Sequence, residues 1–329
     1  MIHLALISLL TALRVAFIGD PQVDNERELH YARESIFAEL LERRDIDLVI
    51  IMGDLVNENP PLMPVCSKIL DSLHCPWLRV HGNHDGKLIP NDTSLVINGL
   101  RVVLLHREDS PIPQAKDGEK TIYCSHYPFK SVPDSSANSL YVSAHLHTVF
   151  REMKGAAEHL GVGATCGTWW RGEKDKRGIP YALMNCGSPR GYFIADIDLS
   201  KDIWYKLQYK VVGQSPQLQA DIHRQEGKIY INVYGGAADG VLEISHKGRW
   251  IKAERVEEID PKVRAIIEKN RNTDRAYRKE HKELFIPMRR LPSPHLWAVE
   301  REELKKCKVL KIRYKDRNMK IVNTKLTIQ

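Results

Sequence analysis

Cysteine is scarce in this chain. Cys66, Cys75, Cys124, Cys166, Cys186 and Cys307 are all there are in 329 residues, and no two of them form a C-x-x-C pair. That excludes a scaffold built on disulfides and gives no zinc knuckle. Membrane-length apolar runs are missing as well: the apolar opening, Met1 to Ala12, is too short to span a bilayer, so no transmembrane segment is expected. There is no internal repeat, no low-complexity tract and no basic strand interleaved with aromatic residues, so solenoid, disordered and nucleic-acid-binding classes find no support.

What is present is an ordinary globular composition, 43% hydrophobic and 28% charged, in a chain longer than one typical domain. The expected division is a short leader at 1–12, a main domain at 13–203 and a β-rich domain at 204–329. The net charge of +7 gathers mainly after Trp250, and runs such as Lys305-Lys306-Cys307-Lys308 read as a solvated face. Met1 to Ala12 ends in the small pair Thr11-Ala12 and reads as the hydrophobic part of an export signal, which would place the protein in the periplasm or outside the cell. The alternative is an apolar N-terminal extension of a cytoplasmic fold; retention of Met1 in the mature protein would decide for it.

The first half alternates strands and helices, the pattern of a layered α/β domain. Leu13 to Ile18, Asp47 to Met52 and Trp77 to Val80 read as strands. Glu26 to Arg44 and Pro61 to Leu73 read as helices, the first with Leu29, Ala32, Ile36, Leu40 and Leu41 spaced to make one buried face. Leu95 to Ile97 and Leu100 to Leu105 flank Asn98-Gly99, a pair that accepts the positive φ angles of a tight hairpin. Thr121 to Cys124 and Leu140 to Ser143 each run into a histidine motif. Leu160 to Ala164, Tyr181 to Asn185 and Tyr192 to Ile197 are expected to close the sheets. Beyond Trp204, short strands at Tyr205 to Val212, Lys228 to Val233, Val241 to Ile244, Lys308 to Arg313 and Lys320 to Ile328, with one charged helix over Pro261 to Leu284, suggest a small β-sandwich.

The chemistry sits in separated stretches: Asp20-Pro21-Gln22, Gly53 to Asn57, Gly82-Asn83-His84-Asp85, Ser125-His126 and Ala144-His145-Leu146-His147. Each falls where a predicted strand ends, the usual place for reactive groups on an α/β scaffold. Their carboxylate, carboxamide and imidazole groups suit hard to borderline divalent ions such as Mn, Mg, Fe and Zn. A pair of such ions needs a shared anionic ligand, and Asp54 is the candidate bridge. Asp20 and His147 then serve the first ion, and Asn83, His126 and His145 the second. Water held between the ions loses a proton near neutral pH and can attack phosphorus in line. His84 is the candidate acid for the leaving oxygen, with Asp85 as the group that orients it.

As a set these motifs resemble the calcineurin-like metallophosphoesterase superfamily over about residues 13 to 200. The resemblance implies a four-layer α/β/β/α sandwich with a dinuclear site at one edge of two central sheets, joined here to a C-terminal β-sandwich-like domain. It implies the same ligand and acid roles. Gln22 stands where the family usually has histidine; its amide oxygen is a neutral, harder ligand, which tilts the expected metal toward Mn or Mg. Ala144 replaces the glycine that usually precedes the histidine pair. Cys166 to Gly172, Gly187 to Tyr192 and Ser293 to Trp297 resemble bacterial, often Bacteroides-type, exported phosphoesterases with a dedicated C-terminal domain.

Asn57, Trp169, Trp170, Arg171 and Arg190 are the candidate substrate contacts, the tryptophans by stacking and the arginines by gripping phosphate. The alternative for each tryptophan is a place in the core. The expected activity is metal-dependent hydrolysis of a phosphodiester or pyrophosphate in a small molecule, with no feature that fixes the oligomeric state. A protein Ser/Thr phosphatase, or a non-catalytic scaffold on the same fold, are the competing readings.

Overall fold

A computed structural model describes residues 12–300, 302–304, 306–320 and 322–328. The leader expected over Met1 to Ala12 therefore lies, but for Ala12, outside the described residues, as does Lys305 of the basic run. Among the described residues, no helix is long and apolar enough to cross a membrane.

The first half supplies β1 (Ala12–Ile18), β2 (Leu48–Ile51), β3 (Trp77–Arg79), β4 (Thr93–Ile97), β5 (Leu100–Leu105), β6 (Thr121–Ser125), β7 (Ser139–Ser143), β8 (Val149–Lys154), β9 (Ala157–Val162), β10 (Gly191–Asp198) and β11 (Tyr205–Val211). Among the described residues they form two sheets, ordered β11-β10-β1-β2-β3 and β4-β5-β6-β7-β9-β8. β1 and β2 pair in parallel and are nearly continuous apolar runs because both faces are covered. On β5 the side chains alternate: Leu100, Val102 and Leu104 join the core shared with the first sheet, while Val103 and Leu105 face the other way.

The outer face of the first sheet is covered by helices. Leu29, Ile36 and Leu40 from the segment after β1, and Leu62, Cys66 and Leu70 from Leu62–Leu70, all enter the same core. Asn25 caps the first of these helices by accepting a hydrogen bond from the Glu28 N–H. The helix runs from Glu26 to Glu42 with a π-helical section at Arg33–Phe37, where the Ser35 hydroxyl bonds back to the Tyr31 carbonyl. On the outer face of the second sheet, Tyr123 and Tyr141 stack and are packed by Ile112, Phe129 and Val132 from loops. The two central sheets and one helical layer of the expected α/β/β/α sandwich are thus present, but among the described residues the second outer layer is built from loops rather than helices.

The C-terminal part is a β-sandwich. Its strands are β12 (Ala220–Gln225), β13 (Lys228–Val233), β14 (Val241–His246), β15 (Arg249–Lys252), β16 (Glu254–Arg255), β17 (Leu296–Val299), β18 (Val309–Lys315) and β19 (Val322–Thr327). They form two antiparallel sheets, β12-β13-β17-β16 and β15-β14-β18-β19. Ile231 and Trp297 of one sheet share a core with Ile244, Ile312 and Tyr314 of the other.

Three expectations need correction. Tyr205 to Val212, read as the first strand of the C-terminal unit, pairs with β10 at the edge of the first sheet, and Tyr205, Leu207 and Tyr209 are buried in the main core. Tyr181 to Asn185 is a loop tied by a single bridge from Leu183 to Pro189. The single charged helix is broken into Pro261–Asn272 and Arg275–Glu280, because Thr273 is extended and Asp274 caps a new start.

Candidate metal centre

Buried β1, β2, β6 and β7 all finish at one edge of the two sheets. The residues that follow them carry the candidate ligands. Asp20, Gln22, Asp54, His145 and His147 all have positive φ, between 42° and 66°. Left-handed backbone at a non-glycine residue costs on the order of 1–3 kcal/mol, and such strain clusters at functional sites. Two motif glycines are explained by crowding: a Cβ on Gly53 would stand 2.6 Å from His126 Nδ1, and one on Gly82 would stand 2.1 Å from Asp54 Oδ1.

His126 is the hub. Its Nδ1 faces the Met52 carbonyl at 2.9 Å, which orients the ring and turns Nε2 toward the other donors. Around Nε2 lie Asn83 Oδ1 at 3.0 Å, His145 Nδ1 at 3.1 Å and Asp54 Oδ2 at 3.3 Å. Asp54, His126 and His145 each place a ligand atom within 4.8 Å of the others. Here the structure brings together the four side chains expected around the second ion.

The first-ion set lies beside them. Asp20 is fully buried; its Oδ2 accepts from the His145 N–H at 3.2 Å, and its Oδ1 has no hydrogen-bond partner. That orphaned oxygen faces His126 Nδ1 at 3.8 Å and His147 Nε2 at 3.9 Å. The His147 ring is fixed from behind by the Gly167 and Thr168 carbonyls. Gln22 donates its amide nitrogen to Asp54 Oδ2 at 3.1 Å while its oxygen faces the Cys166 thiol. To offer that oxygen to a cation the amide would have to turn over.

The electrostatics fit a cation. Burial pushes the Asp20 carboxyl well above the usual carboxylate range, against the pull of His126, while neighbouring Asp54 adds to the rise. Burial would also raise Asp54, but hydrogen bonding and charge from His126 overcome it and hold that carboxyl low. Burial opposes charge on His126, yet Asp54 and Asp20 push its pKa up to about 9. The Asp54 carboxylate thus draws positive charge toward itself, and divalent ions would supply it. A buried anionic oxygen without a donor, beside converging imidazole and carboxamide atoms, suits such ions.

The remaining candidates separate. His84 is half-buried; its N–H donates to Asp54 Oδ1 at 2.8 Å, and its Nδ1 faces Glu58 Oε1 at 3.3 Å. Asp85, expected to orient His84, does not reach it. Its carboxylate accepts from Arg79 Nη1, the Gly82 N–H and the Val56 N–H, so it braces the loop instead, and Glu58 takes the place beside His84.

Trp170 is a core residue: it is 2% exposed, donates its indole N–H to the Pro21 carbonyl at 2.8 Å and packs on Tyr31. Arg190 lies over the Trp170 ring, 5.3 Å from its centroid, and bonds Ser35, so it too is withdrawn from the site. Trp169 stays at the surface of the site. It lines a cavity of about 360 Å³ together with Gln22, Asp54, His84, His145 and His147. On its other side a cavity of about 160 Å³ is lined by Asn57 and Arg171 as well. Sequence reasoning missed Asn185, Pro287 and Arg289, which close the larger cavity from loops that carry no motif.

Against known families, a model described as "Calcineurin-like phosphoesterase" matches residues 13–209, and one described as "C terminal of Calcineurin-like phosphoesterase" matches residues 158–320. No curated protein gives a significant match. Among solved structures, the chain is similar to a dimetal phosphatase from Danio rerio, with 11% identity over 68% of this chain and 96% of that one, at a TM-score of 0.37. It is similar to an archaeal phosphodiesterase, with 17% identity over 60% of this chain and 99% of that one, at 0.34. It is also similar to Zn-complexed wild-type Vps29 from Entamoeba histolytica, with 14% identity over 67% of this chain and 92% of that one, at 0.34.

Proposed function

This chain belongs to the calcineurin-like phosphoesterase family and carries that family's dedicated C-terminal domain, and from that membership we propose that it hydrolyses a phosphodiester or pyrophosphate bond in a small molecule. The observation that carries the reading is the meeting of Asp54, Asn83 and His145 at His126 Nε2, with the orphaned Asp20 oxygen and His147 beside them. Asp54, Asn83, His126 and His145 would hold one divalent ion. Asp20, Gln22 and His147 would hold the other, with Asp54 shared. Such ions, when bound, make water a nucleophile near neutral pH and draw charge from the phosphoryl oxygens. Gln22, with no imidazole to offer, supports Mn or Mg at that position.

The protein's own groups do the rest. His84 lines the cavity, and its imidazole gives a proton to the departing oxygen. The bond from its backbone N–H to Asp54 fixes the chain at this position, and the Glu58 carboxylate faces the ring nitrogen Nδ1. Asp85 keeps the Gly82 to Asp85 loop in register by its three bonds. The size of the cavity and its Trp169 wall suit a small molecule better than a phosphoprotein segment.

The test uses purified protein with Mn on a generic aryl phosphodiester and monoester, with Asp54→Asn as control. Hydrolysis that needs Mn and disappears in Asp54→Asn is the expected result; none in the parent protein would favour a scaffold. His84→Ala is expected to keep its Mn-induced thermal shift while losing about 10²- to 10⁴-fold in turnover with poor leaving groups. Unchanged turnover would remove the acid role.

A further inference from the structure

We propose that Arg289, delivered to the catalytic cavity by the C-terminal region, binds a second phosphoryl group of the substrate, so that the preferred bond is a phosphoanhydride. The inference rests on the phosphoesterase reading and names the substrate class within it.

The segment that carries Arg289 lies between the helix Arg275–Glu280 and β17, and it is pinned on every side. The Gly172 N–H donates to the Glu283 carbonyl at 2.9 Å, and Asn270 donates its amide to the Ile286 carbonyl at 2.8 Å. Ile286 is buried, so close to Gly172 that a Cβ there would stand 2.9 Å from its Cδ1. The Thr168 hydroxyl meets Met288 Sδ at 3.8 Å, and the Arg289 N–H donates to Asn185 Oδ1 at 2.8 Å. The backbone at Arg289 is thereby fixed to the loop behind His147 and Trp169.

The side chain has no such tie. The Arg289 guanidinium is exposed and has no carboxylate partner among the described residues, whereas Arg264 and Arg313 of the same region pair with Glu226 and Glu243. It lines the cavity that holds Asp54, His84, His145 and His147, and it is the only Lys or Arg in that lining. A guanidinium stays charged at any working pH and matches phosphate oxygens with paired N–H groups. One phosphoryl group belongs at the Asp54 and His145 end. A second, joined to it through an anhydride oxygen, gives the unpaired cation its counterion, and Trp169 offers a flat wall for whatever ring the substrate carries.

The experiment compares two probes with one nucleoside, at saturating Mn: thymidine 5′-monophosphate p-nitrophenyl ester, with one phosphoryl group, and thymidine diphosphate glucose, with two. Arg289→Ala is expected to lower kcat/KM on the diphosphate by about 10- to 100-fold, mostly through KM, the range expected for losing hydrogen bonds to a charged group. The loss on the single-phosphate ester is expected to be at least tenfold smaller. Arg289→Lys recovers part of the diphosphate loss, and Arg290→Ala, its exposed neighbour outside the lining, behaves as the parent. Equal losses on both probes, or a parent protein that cleaves the ester but not the diphosphate, would overturn the proposal and leave the phosphoesterase reading standing. Failure of the parent on both probes would sink that reading, and the inference with it.

Discussion

Replacing Arg151 by methionine is expected to destabilise this protein by about 4 kcal/mol. The guanidinium is 2% exposed and binds Glu158 Oε1 at 2.5 Å, the Gly235 carbonyl at 3.1 Å and both Asp316 oxygens at 2.6 and 3.2 Å. It thus joins β8 and β9 to the sandwich. Methionine keeps most of the volume and removes the charge, leaving two buried carboxylates without a cation. Tyr205 and Asn318 still serve Glu158 Oε2, and Tyr314 still serves Asp316, but Glu158 Oε1 and the Gly235 carbonyl lose their donor. Removing one member of a buried ion pair typically costs about 3–5 kcal/mol. Relief by protonation gives a similar figure: lifting one carboxyl from near 4 to above 7 costs about 4 kcal/mol. The assay is urea unfolding followed by tryptophan fluorescence, since Trp204 is buried in the main core and Trp297 in the sandwich. With a slope of about 3 kcal/mol/M the midpoint moves down by roughly 1.3 M. Adding Glu158→Gln and Asp316→Asn to Arg151→Met removes the stranded charges and is expected to restore at least half of the loss. A shift below about 0.3 M in the single variant would refute the argument.

Acid is expected to weaken the fold through two neutral imidazoles. Burial pushes His159, beside Ser143 and between Phe129 and Phe150, and His295, beside Asn232, down to about 4. The unfolded chain takes up these protons near 6.5 and the folded one near 4. Stability therefore falls as pH drops through that window, by about 2 kcal/mol per imidazole at pH 5; a urea midpoint equal at pH 7.5 and pH 5 would contradict this. A chain ended at Asp202 loses β11, strips the edge of β10 and removes buried Tyr205, Leu207 and Tyr209. It is expected to be insoluble or aggregated by size-exclusion chromatography, and a folded monomer would show that β11 is dispensable.

The candidate ligands stand out in the sequence because their chemistry is particular. Few other reasons place Asp20, Asp54, Asn83, His126, His145 and His147 each at the end of an apolar strand. What failed was inference from adjacency. Asp85 follows His84 in sequence but turns inward to Arg79 and Val56, while Glu58 from another loop faces the imidazole. Trp169 and Trp170 are neighbours on a bent stretch, where the Arg171 N–H turns back to the Trp169 carbonyl, and one lines the cavity while the other fills the core. Tyr205 to Val211 reads as a strand in either unit, and only pairing with β10 decides its sheet. Arg289 carries no local signal, since it sits more than a hundred residues past the last histidine motif.

Among the described residues, the strap from Lys282 to Leu291 bonds to Asn270 of one helix and to Thr168, Gly172 and Asn185, and to none of the candidate metal ligands. On the reading proposed above, breaking a bond and admitting a molecule would be entrusted to different stretches of polypeptide. Drift in the strap would then alter the diet of such an enzyme while its cutting edge is passed on intact.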